Sequence, residues 1–209
     1  MKWGTFIAIL FFALCEFAPC TGNAVLININ EVEGLSQRWV RCIYQDHYGF
    51  MWFGTKDGLN RYDGVEFRYY RYEQGENTLA SSTINFITED SANNLWVCTN
   101  RGVSVLNRNK NEFIQFAYLP EIAVNCMAQT NSNQMWFGTQ KGLYQFNASD
   151  SSIRLFLKKE GVANTLCCDL ITSLQVDLKK NLWIGTREGL CVYDTKKQEF
   201  PARQNFCMK

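Results

Sequence analysis

The sequence is poor in the residues on which common catalytic and metal-binding chemistry depends. Its 209 residues contain a single histidine, His47, and no C-x-x-C pair. Basic and acidic residues are balanced at 21 to 20, giving a formal net charge of +1. These shortages argue against a Ser-His-Asp hydrolase, a structural zinc site and a nucleic-acid-binding surface. We therefore expect no catalytic residue, no metal and no cofactor.

The first 24 residues differ in composition from the rest of the chain. Lys2 gives a short charged start, and residues 3–14 are mostly apolar. A charged start followed by an apolar run of this length is typical of a secretory signal peptide, and the run is too short for a comfortable membrane span. We predict a signal peptide over residues 1–24 and a periplasmic mature chain. An uncleaved N-terminal anchor is the alternative.

One motif occurs four times and organises everything that follows. Its fullest form is Trp-x-Gly-Thr-x-x-Gly-Leu, and its tryptophans lie 44, 40 and 47 residues apart. The two most regular positions are the tryptophan and the glycine six residues later: Trp52, Trp96, Trp136 and Trp183, with Gly58, Gly102, Gly142 and Gly189. Self-similarity at this period predicts a repeat architecture, in which each unit is one supersecondary element.

Aligning the four copies on the tryptophan predicts the same strands in each. A mostly apolar strand precedes the tryptophan, residues such as Asp46 and Gly49 form a turn, and the motif is the second strand. The glycine of the motif supplies the positive φ of a tight turn into a third strand, and a fourth apolar stretch follows. Four short antiparallel strands per repeat define a β-propeller blade. We therefore predict an all-β fold in which residues 25–209 form a partial propeller. The predicted blades are 35–72, 78–116, 120–156 and 164–200.

The repeated tryptophan is interpreted as the large side chain that fills the space between adjacent blades. A buried tryptophan removes roughly 150–250 Å² from water, and the small residue two positions later, Gly54 in the first copy, leaves room for close approach. The alternative is that the tryptophans are exposed platforms for stacking on sugars.

Seven cysteines lie beyond the predicted signal peptide, so at least one thiol is unpaired. Four of them lie on predicted strands and are interpreted as small buried apolar residues: Cys42, Cys98, Cys126 and Cys191. Cys167 and Cys168 are adjacent in a loop, and Cys207 lies near the end of the sequence.

With these residues in view, the repeats resemble the two-component regulator propeller repeats found in the periplasmic sensor region of Bacteroidetes hybrid two-component histidine kinases. The resemblance covers residues 34–195. It rests on Gly34-Leu35-Ser36, the turn from Asp46 to Gly49, the tryptophan motif and the following Tyr62-Asp63 or Tyr193-Asp194. It implies that the blades belong to a seven-bladed ring. It also implies that the protein detects oligosaccharides for a signal transduction system.

The sequence departs from that family pattern in having four repeats and no kinase segment. His47 lies in a predicted turn, so the helix-borne phosphoacceptor of a histidine kinase is absent, and we predict that this chain is not an enzyme. We expect an open arc of four blades, whose end faces pair with missing blades or with a second copy. Contact with a membrane is expected only through an uncleaved N-terminus or a missing C-terminal anchor. The alternative functions are an exported propeller enzyme and a protein-docking propeller, either of them acting on polysaccharide.

Strand direction predicts where a ligand would bind. Because successive strands alternate in direction, the link into each blade and the turn between its second and third strands share one rim. Each of those turns carries a basic residue, and the first link adds a cation and an aromatic ring. The predicted ligand-binding residues are Arg38, Trp39, Lys56, Arg101, Lys141 and Arg187. Such a set can bind an acidic or hydroxyl-rich oligosaccharide by hydrogen bonding and stacking, although ordinary solvated turns are the simpler alternative.

Overall fold

The computed structural model describes residues 28–75, 77–162 and 164–201. The predicted signal peptide and Cys207 lie outside these ranges. Within them the chain forms 15 β-strands and no helix. The strands, in chain order, are β1 (Val40–Gln45), β2 (Met51–Thr55), β3 (Gly58–Tyr62), β4 (Phe67–Tyr70), β5 (Ile84–Glu89), β6 (Leu95–Thr99), β7 (Gly102–Asn107), β8 (Glu112–Gln115), β9 (Val124–Asn131), β10 (Gln134–Thr139), β11 (Gly142–Asn147), β12 (Ser152–Phe156), β13 (Ile171–Val176), β14 (Leu182–Thr186) and β15 (Gly189–Tyr193).

The strands form four antiparallel sheets in which chain neighbours are also spatial neighbours. The orders are β1-β2-β3-β4, β5-β6-β7-β8, β9-β10-β11-β12 and β13-β14-β15. In the described part of blade four, an isolated bridge between Asp194 and Glu199 follows the third strand. The all-β propeller predicted from the repeat is confirmed. Membership of a seven-bladed ring stays a prediction.

Three of the repeated tryptophans lie buried between successive blades. Trp52 is in an apolar cluster with Ile84 and Ile87 of blade two. Trp96 is in the next cluster, with residues of blade three, and Trp136 is in a cluster with Ile171 of blade four. Burial of these three side chains confirms their role as fillers between blades and rules out sugar stacking on them.

The small residue of the motif lets the next blade approach. A Cβ built on Gly54 would lie 2.7 Å from Cγ2 of Ile84, and one built on Gly138 would lie 2.6 Å from Cγ2 of Ile171. Each Cβ would also lie 2.5 Å from a sulfur of its own blade, that of Cys42 or Cys126. A larger residue would therefore displace both that cysteine and the neighbouring blade. The predicted reason for the small residue is thus confirmed in blades one and three.

Packing between blades follows chain order, from β1 to β5, from β5 to β9 and from β9 to β13. In the described ranges, no packing of comparable extent joins β13 back to β1. The outward faces of the first and last blades are correspondingly less covered. Ile43 on β1 is 58% exposed, and Trp183 is only half-buried although its three equivalents are buried.

The cysteines follow the predicted pattern with one correction. Cys98 and Cys126 are buried and Cys42 is half-buried, and burial raises the pKa of Cys42 to about 11 and that of Cys126 to about 12. Cys191, interpreted above as a small buried apolar residue, is buried but is joined to Cys167 by a disulfide. The equivalent residues of blade two, Ala80 and Ser104, are also in contact: the backbone N–H of Ala80 donates to Oγ of Ser104 at 2.9 Å.

Candidate functional site

The links between blades and the turns between second and third strands lie on one rim, which we call the link rim. The backbone N–H of Gly58 donates to the carbonyl of Ser82 in the following link at 2.7 Å. In the same way, Gly142 of blade three donates to the carbonyl of Asp169 at 2.7 Å. The placement predicted from strand direction is therefore confirmed.

The threonine of the motif builds each link-rim turn. Thr55 is buried, and its hydroxyl donates to the carbonyl of Gly58 at 2.9 Å while accepting the backbone N–H of Asp57 at 3.0 Å. The hydroxyls of the equivalent threonines make the same bond to the motif glycine: Thr99, Thr139 and Thr186. Because the threonine fixes the backbone, the two turn residues point their side chains away from the blade core. In blades one and four the basic residue comes first in the turn, and in blades two and three it comes second, so the four cations do not occupy equivalent positions.

Blade one presents an aromatic ring with a cation beside it. Trp39 is 63% exposed, and Nζ of Lys56 lies 4.3 Å from the centroid of its ring. The backbone N–H of Lys56 donates to Oε1 of Gln37 at 3.2 Å, which ties the turn to the first link. Arg38, beside Trp39 on that link, is exposed. The structure therefore brings together two of the six predicted residues in direct contact.

The cation of blade two is already paired. Nη2 of Arg101 donates to Oε2 of Glu121 at 2.8 Å, and the hydrogen bond and charge of Glu121 raise the pKa of Arg101. Lys141 and Arg187 are exposed and form no ion pair with any residue of the described ranges. Lys56 likewise forms no ion pair in those ranges, so Arg101 alone among the predicted turn cations presents a competing carboxylate to an anionic or hydroxyl-rich ligand.

A second polar cluster lies on the opposite rim, between blades one and two, and was not predicted. The guanidinium of Arg108 contacts Oδ2 of Asp46 at 3.1 Å and Oε1 of Glu89 at 2.6 Å. Nδ1 of His47 lies 2.7 Å from the same oxygen of Glu89. Sequence reasoning missed this cluster because it assembles turns of different blades, although each of these residues except Asp46 departs from its equivalents in most other repeats.

Two of the repeats match a known family. Residues 34–57 and 78–101 match the model described as two-component regulator propeller. A curated histidine kinase of Formosa agariphila is 39% identical over 79 residues, which are 37% of this chain and 6% of that protein. The first two repeats of this chain are therefore similar to two-component regulator propeller repeats, and the matched segment spans a small part of that relative.

Solved structures agree on the fold. The extracellular domain of a hybrid two-component system from B. thetaiotaomicron superimposes with a TM-score of 0.67 at 26% identity, covering 78% of this chain and 21% of that one. A gluconolactonase from Xanthomonas campestris has a TM-score of 0.59 at 14% identity, covering 78% of this chain and 61% of that one. The second likeness shows the propeller fold alone. The first is a likeness to part of the extracellular domain of a two-component system.

Proposed function

We propose that this chain is a periplasmic ligand-sensing propeller, or part of one, of a two-component signal transduction system, and that it detects oligosaccharides. The observation that carries the proposal is the exposed ring of Trp39 with Lys56 4.3 Å from its centroid, on the link rim. The family match and the likeness to an extracellular two-component domain support the signalling role. Among the described residues, no helix has the length and apolarity needed to cross a membrane.

The link rim offers the chemistry that sugar recognition uses. A pyranose ring has apolar C–H faces that stack on an indole, and hydroxyls or carboxylates on its edge that accept hydrogen bonds from ammonium and guanidinium groups. Trp39 and Lys56 supply both in blade one, while Lys141 and Arg187 supply donors in blades three and four. An oligosaccharide of several units bound there contacts more than one blade and so favours one arrangement of the blades.

The end faces of the arc are the proposed attachment points for further blades or a second copy. Trp183 has the register of three buried tryptophans, and its indole N–H donates to Oδ2 of Asp177 at 3.0 Å as in the other blades. Its side chain is half-buried because no blade covers its outer face in the described ranges. A further blade at this face would bury Trp183 as blades two, three and four bury its equivalents.

The enzyme alternative has weaker support. Asp46 and Asp90 are buried carboxylates, but each accepts hydrogen bonds from backbone N–H groups and from the indole of its own blade. Their acceptor sites serve the fold rather than a substrate. The likeness to a gluconolactonase is a likeness of fold.

Calorimetric titration of the purified chain tests the proposal. The ligands are a panel of oligogalacturonides and cello-oligosaccharides. For a glycan that binds, we expect Trp39→Ala, and separately the double variant Lys141→Ala/Arg187→Ala, to weaken affinity by about tenfold, since each removes stacking or charge-assisted hydrogen bonds. Arg101→Ala is expected to have a smaller effect, because Glu121 already holds the guanidinium.

The matched control is Lys110→Ala/Lys196→Ala, which removes two exposed lysines outside the link-rim turns. It should bind as the unmodified chain does. Absence of binding by every member of the panel, or unchanged affinity in both link-rim variants with unchanged melting temperature, contradicts the proposal.

A further inference from the structure

Residues that break the repeat gather at one place, the crevice between blades one and two on the rim opposite the links. Blade one carries Tyr48, Phe50 and Arg61 there, and blade two carries Arg108. The equivalent residues are small, amide, aliphatic or of another charge type in the other blades. They are Ala92, Ser132 and Lys179 for Tyr48; Asn94, Gln134 and Asn181 for Phe50; Val105, Gln145 and Val192 for Arg61; and Gly64, Ala148 and Thr195 for Arg108. These four positions depart from the repeat while the core pattern is kept, and they meet in space. We infer that they serve a role at this place other than packing the blades.

These four side chains line a cavity of about 300 Å³, and Leu106, Asn109 and Asn111 complete its walls. A neighbouring cavity of about 480 Å³ shares Tyr48, Arg108 and Asn109 with it. The smaller volume is at the lower end of ligand pockets and suits one ring-sized molecule. Because its walls come from two blades, whatever binds there contacts both.

The two arginines of the crevice differ in their partners. Arg108 is held by Asp46 and Glu89, so its charge is compensated within the protein. Arg61 pairs directly across the strands with Trp52, which places it on the face turned toward blade two. Its guanidinium lies 4.5 Å from the ring of Phe50, its Nε is buried without a hydrogen-bond partner, and it forms no ion pair with any described residue. Arg61 is therefore a positioned cation that lacks an anion, in a partly desolvated site where a charge pair is stronger than in water.

The remaining walls supply an aromatic face and amide donors. Tyr48 is 63% exposed and lies over the guanidinium of Arg108 at 4.8 Å, which fixes its ring beside the cavity. The hydroxyl of Tyr70 donates to Oδ1 of Asn111 at 2.7 Å, so the amide nitrogen of Asn111 remains a donor for a ligand. Asn109 adds a second amide. A cation, amide donors and an aromatic ring around one ring-sized space match a sugar that carries a carboxylate.

We propose that this crevice binds a single acidic sugar unit, with its carboxylate on Arg61 and its ring against Tyr48. This deepens the proposed function and rests on it for the choice of a sugar as the ligand. Binding here joins the turns of blades one and two, next to the ion pairs of Arg108 with Asp46 and Glu89. The site is separate from the link rim, because the turn of Asp46 and the link-rim turn lie at opposite ends of β2.

Titration of the full chain with galacturonate and with galactose tests the crevice. We expect galacturonate to bind about tenfold more tightly than galactose, and Arg61→Gln to reduce it to the level of galactose, since a charge-assisted pair is lost. The matched control is Arg154→Gln, because Arg154 lies on β12 of blade three, outside the crevice, and is exposed. It should leave galacturonate binding unchanged. Arg61→Lys, which keeps the charge, should retain part of the affinity if the fold is intact by circular dichroism.

Several results overturn the crevice proposal: no galacturonate binding by the unmodified chain, equal binding of galactose, equal binding by Arg61→Gln, or equal competition by inorganic sulfate. The proposed function fails separately. Oligosaccharide binding that is lost in Lys141→Ala/Arg187→Ala, together with galacturonate binding that is unchanged in Arg61→Gln, leaves sensing at the link rim standing and removes the crevice as a site. Galacturonate binding that depends on Arg61, in a chain whose link rim binds no oligosaccharide, leaves the crevice standing and removes the link rim as a sensing site.

Discussion

The indole N–H of Trp52 donates a 2.9 Å hydrogen bond to Oδ2 of Asp46, six residues earlier across the first hairpin. Blades two and four repeat this bond through Asp90 and Asp177, at 2.9 and 3.0 Å, and blade three uses the hydroxyl of Thr130 at 3.1 Å. One short side chain thus connects the turn to the residue that fills the space between blades. This connection explains why the turn residue and the tryptophan keep a constant spacing through all four repeats.

Removing one of these acceptors should destabilise the fold measurably. Asp90 is the cleanest choice, because it accepts bonds from Trp96, Asn94 and Ala92 and takes part in no ion pair among the described residues. Asp90→Ala leaves those donors without partners, and we expect a loss of about 1–3 kcal/mol in the free energy of unfolding, measured with urea. The neutral counterpart Thr130→Ala should cost less, about 0.5–1.5 kcal/mol. A cost for Asp90→Ala no larger than that for Thr130→Ala would contradict this account of the turn.

The same carboxylates should make stability depend on acid pH. The hydrogen bond from Trp183 lowers the pKa of Asp177 to about 2. Burial alone would raise the pKa of Asp90, but the bonds from Asn94 and Trp96 outweigh it and leave the pKa lowered. A lowered pKa in the folded state means that the unfolded chain binds protons more readily, so this stabilisation is full above about pH 4 and is lost as the pH falls toward 2.

Chemical unfolding at a series of pH values checks whether stability falls as the pH is lowered. Asp177→Asn should reduce the slope of the unfolding free energy against pH between about pH 4 and 2, because residue 177 no longer takes up a proton on unfolding. Thr130→Ala, in the blade whose acceptor does not titrate, should shift the curve without changing its slope. Equal slopes in Asp177→Asn and the unmodified chain would show that the carboxylate does not contribute.

Fluorescence should distinguish the exposed tryptophans from the fillers. In a chain beginning at residue 25, Trp39 is exposed and Trp183 is half-buried, while the three interblade tryptophans are buried. We expect acrylamide to quench only part of the emission, and Trp39→Phe/Trp183→Phe to remove most of the quenchable part. Trp136→Phe should lower the total emission and leave the intensity of the quenchable emission unchanged. A quenchable part that persists in the first variant would mean that the fillers are accessible and the blades loosely packed.

The partly uncovered end faces should promote association. Ile43 and Trp183 lie on the outward faces of the first and last blades, and exposed apolar surface of this kind favours contact between copies. We expect light scattering of residues 25–209 to show association that grows with concentration, and Ile43→Lys to reduce it. Ser132→Lys, on an exposed polar turn of blade three, is the control and should have no effect. A monodisperse monomer with a sharp, cooperative thermal transition would show instead that these four blades are complete on their own.

The repeat alone predicted most of the fold, because the side chains that build a blade also define the period. Burial of Trp52 and the close approach at Gly54 follow from chemistry within one repeat and its nearest neighbour. The pairing of Arg101 with Glu121 and the cluster of Arg108 with Glu89 and Asp46 join positions whose distance depends on how blades are spaced. A sequence period contains no such distance, so the link-rim cations were predicted as a set although one of them is already paired.

The measurement that tests the sensing claim most directly is hydrogen–deuterium exchange of the chain with and without a saturating oligogalacturonide. Binding on the link rim predicts slower amide exchange in the first link and in the link-rim turns, at residues 37–39, 56–58, 141–142 and 187–189. The turn at residues 148–151, on the opposite rim of blade three and away from the crevice, should exchange at its unliganded rate. Unchanged exchange throughout the link rim, with the oligosaccharide shown to be bound, would contradict the claim.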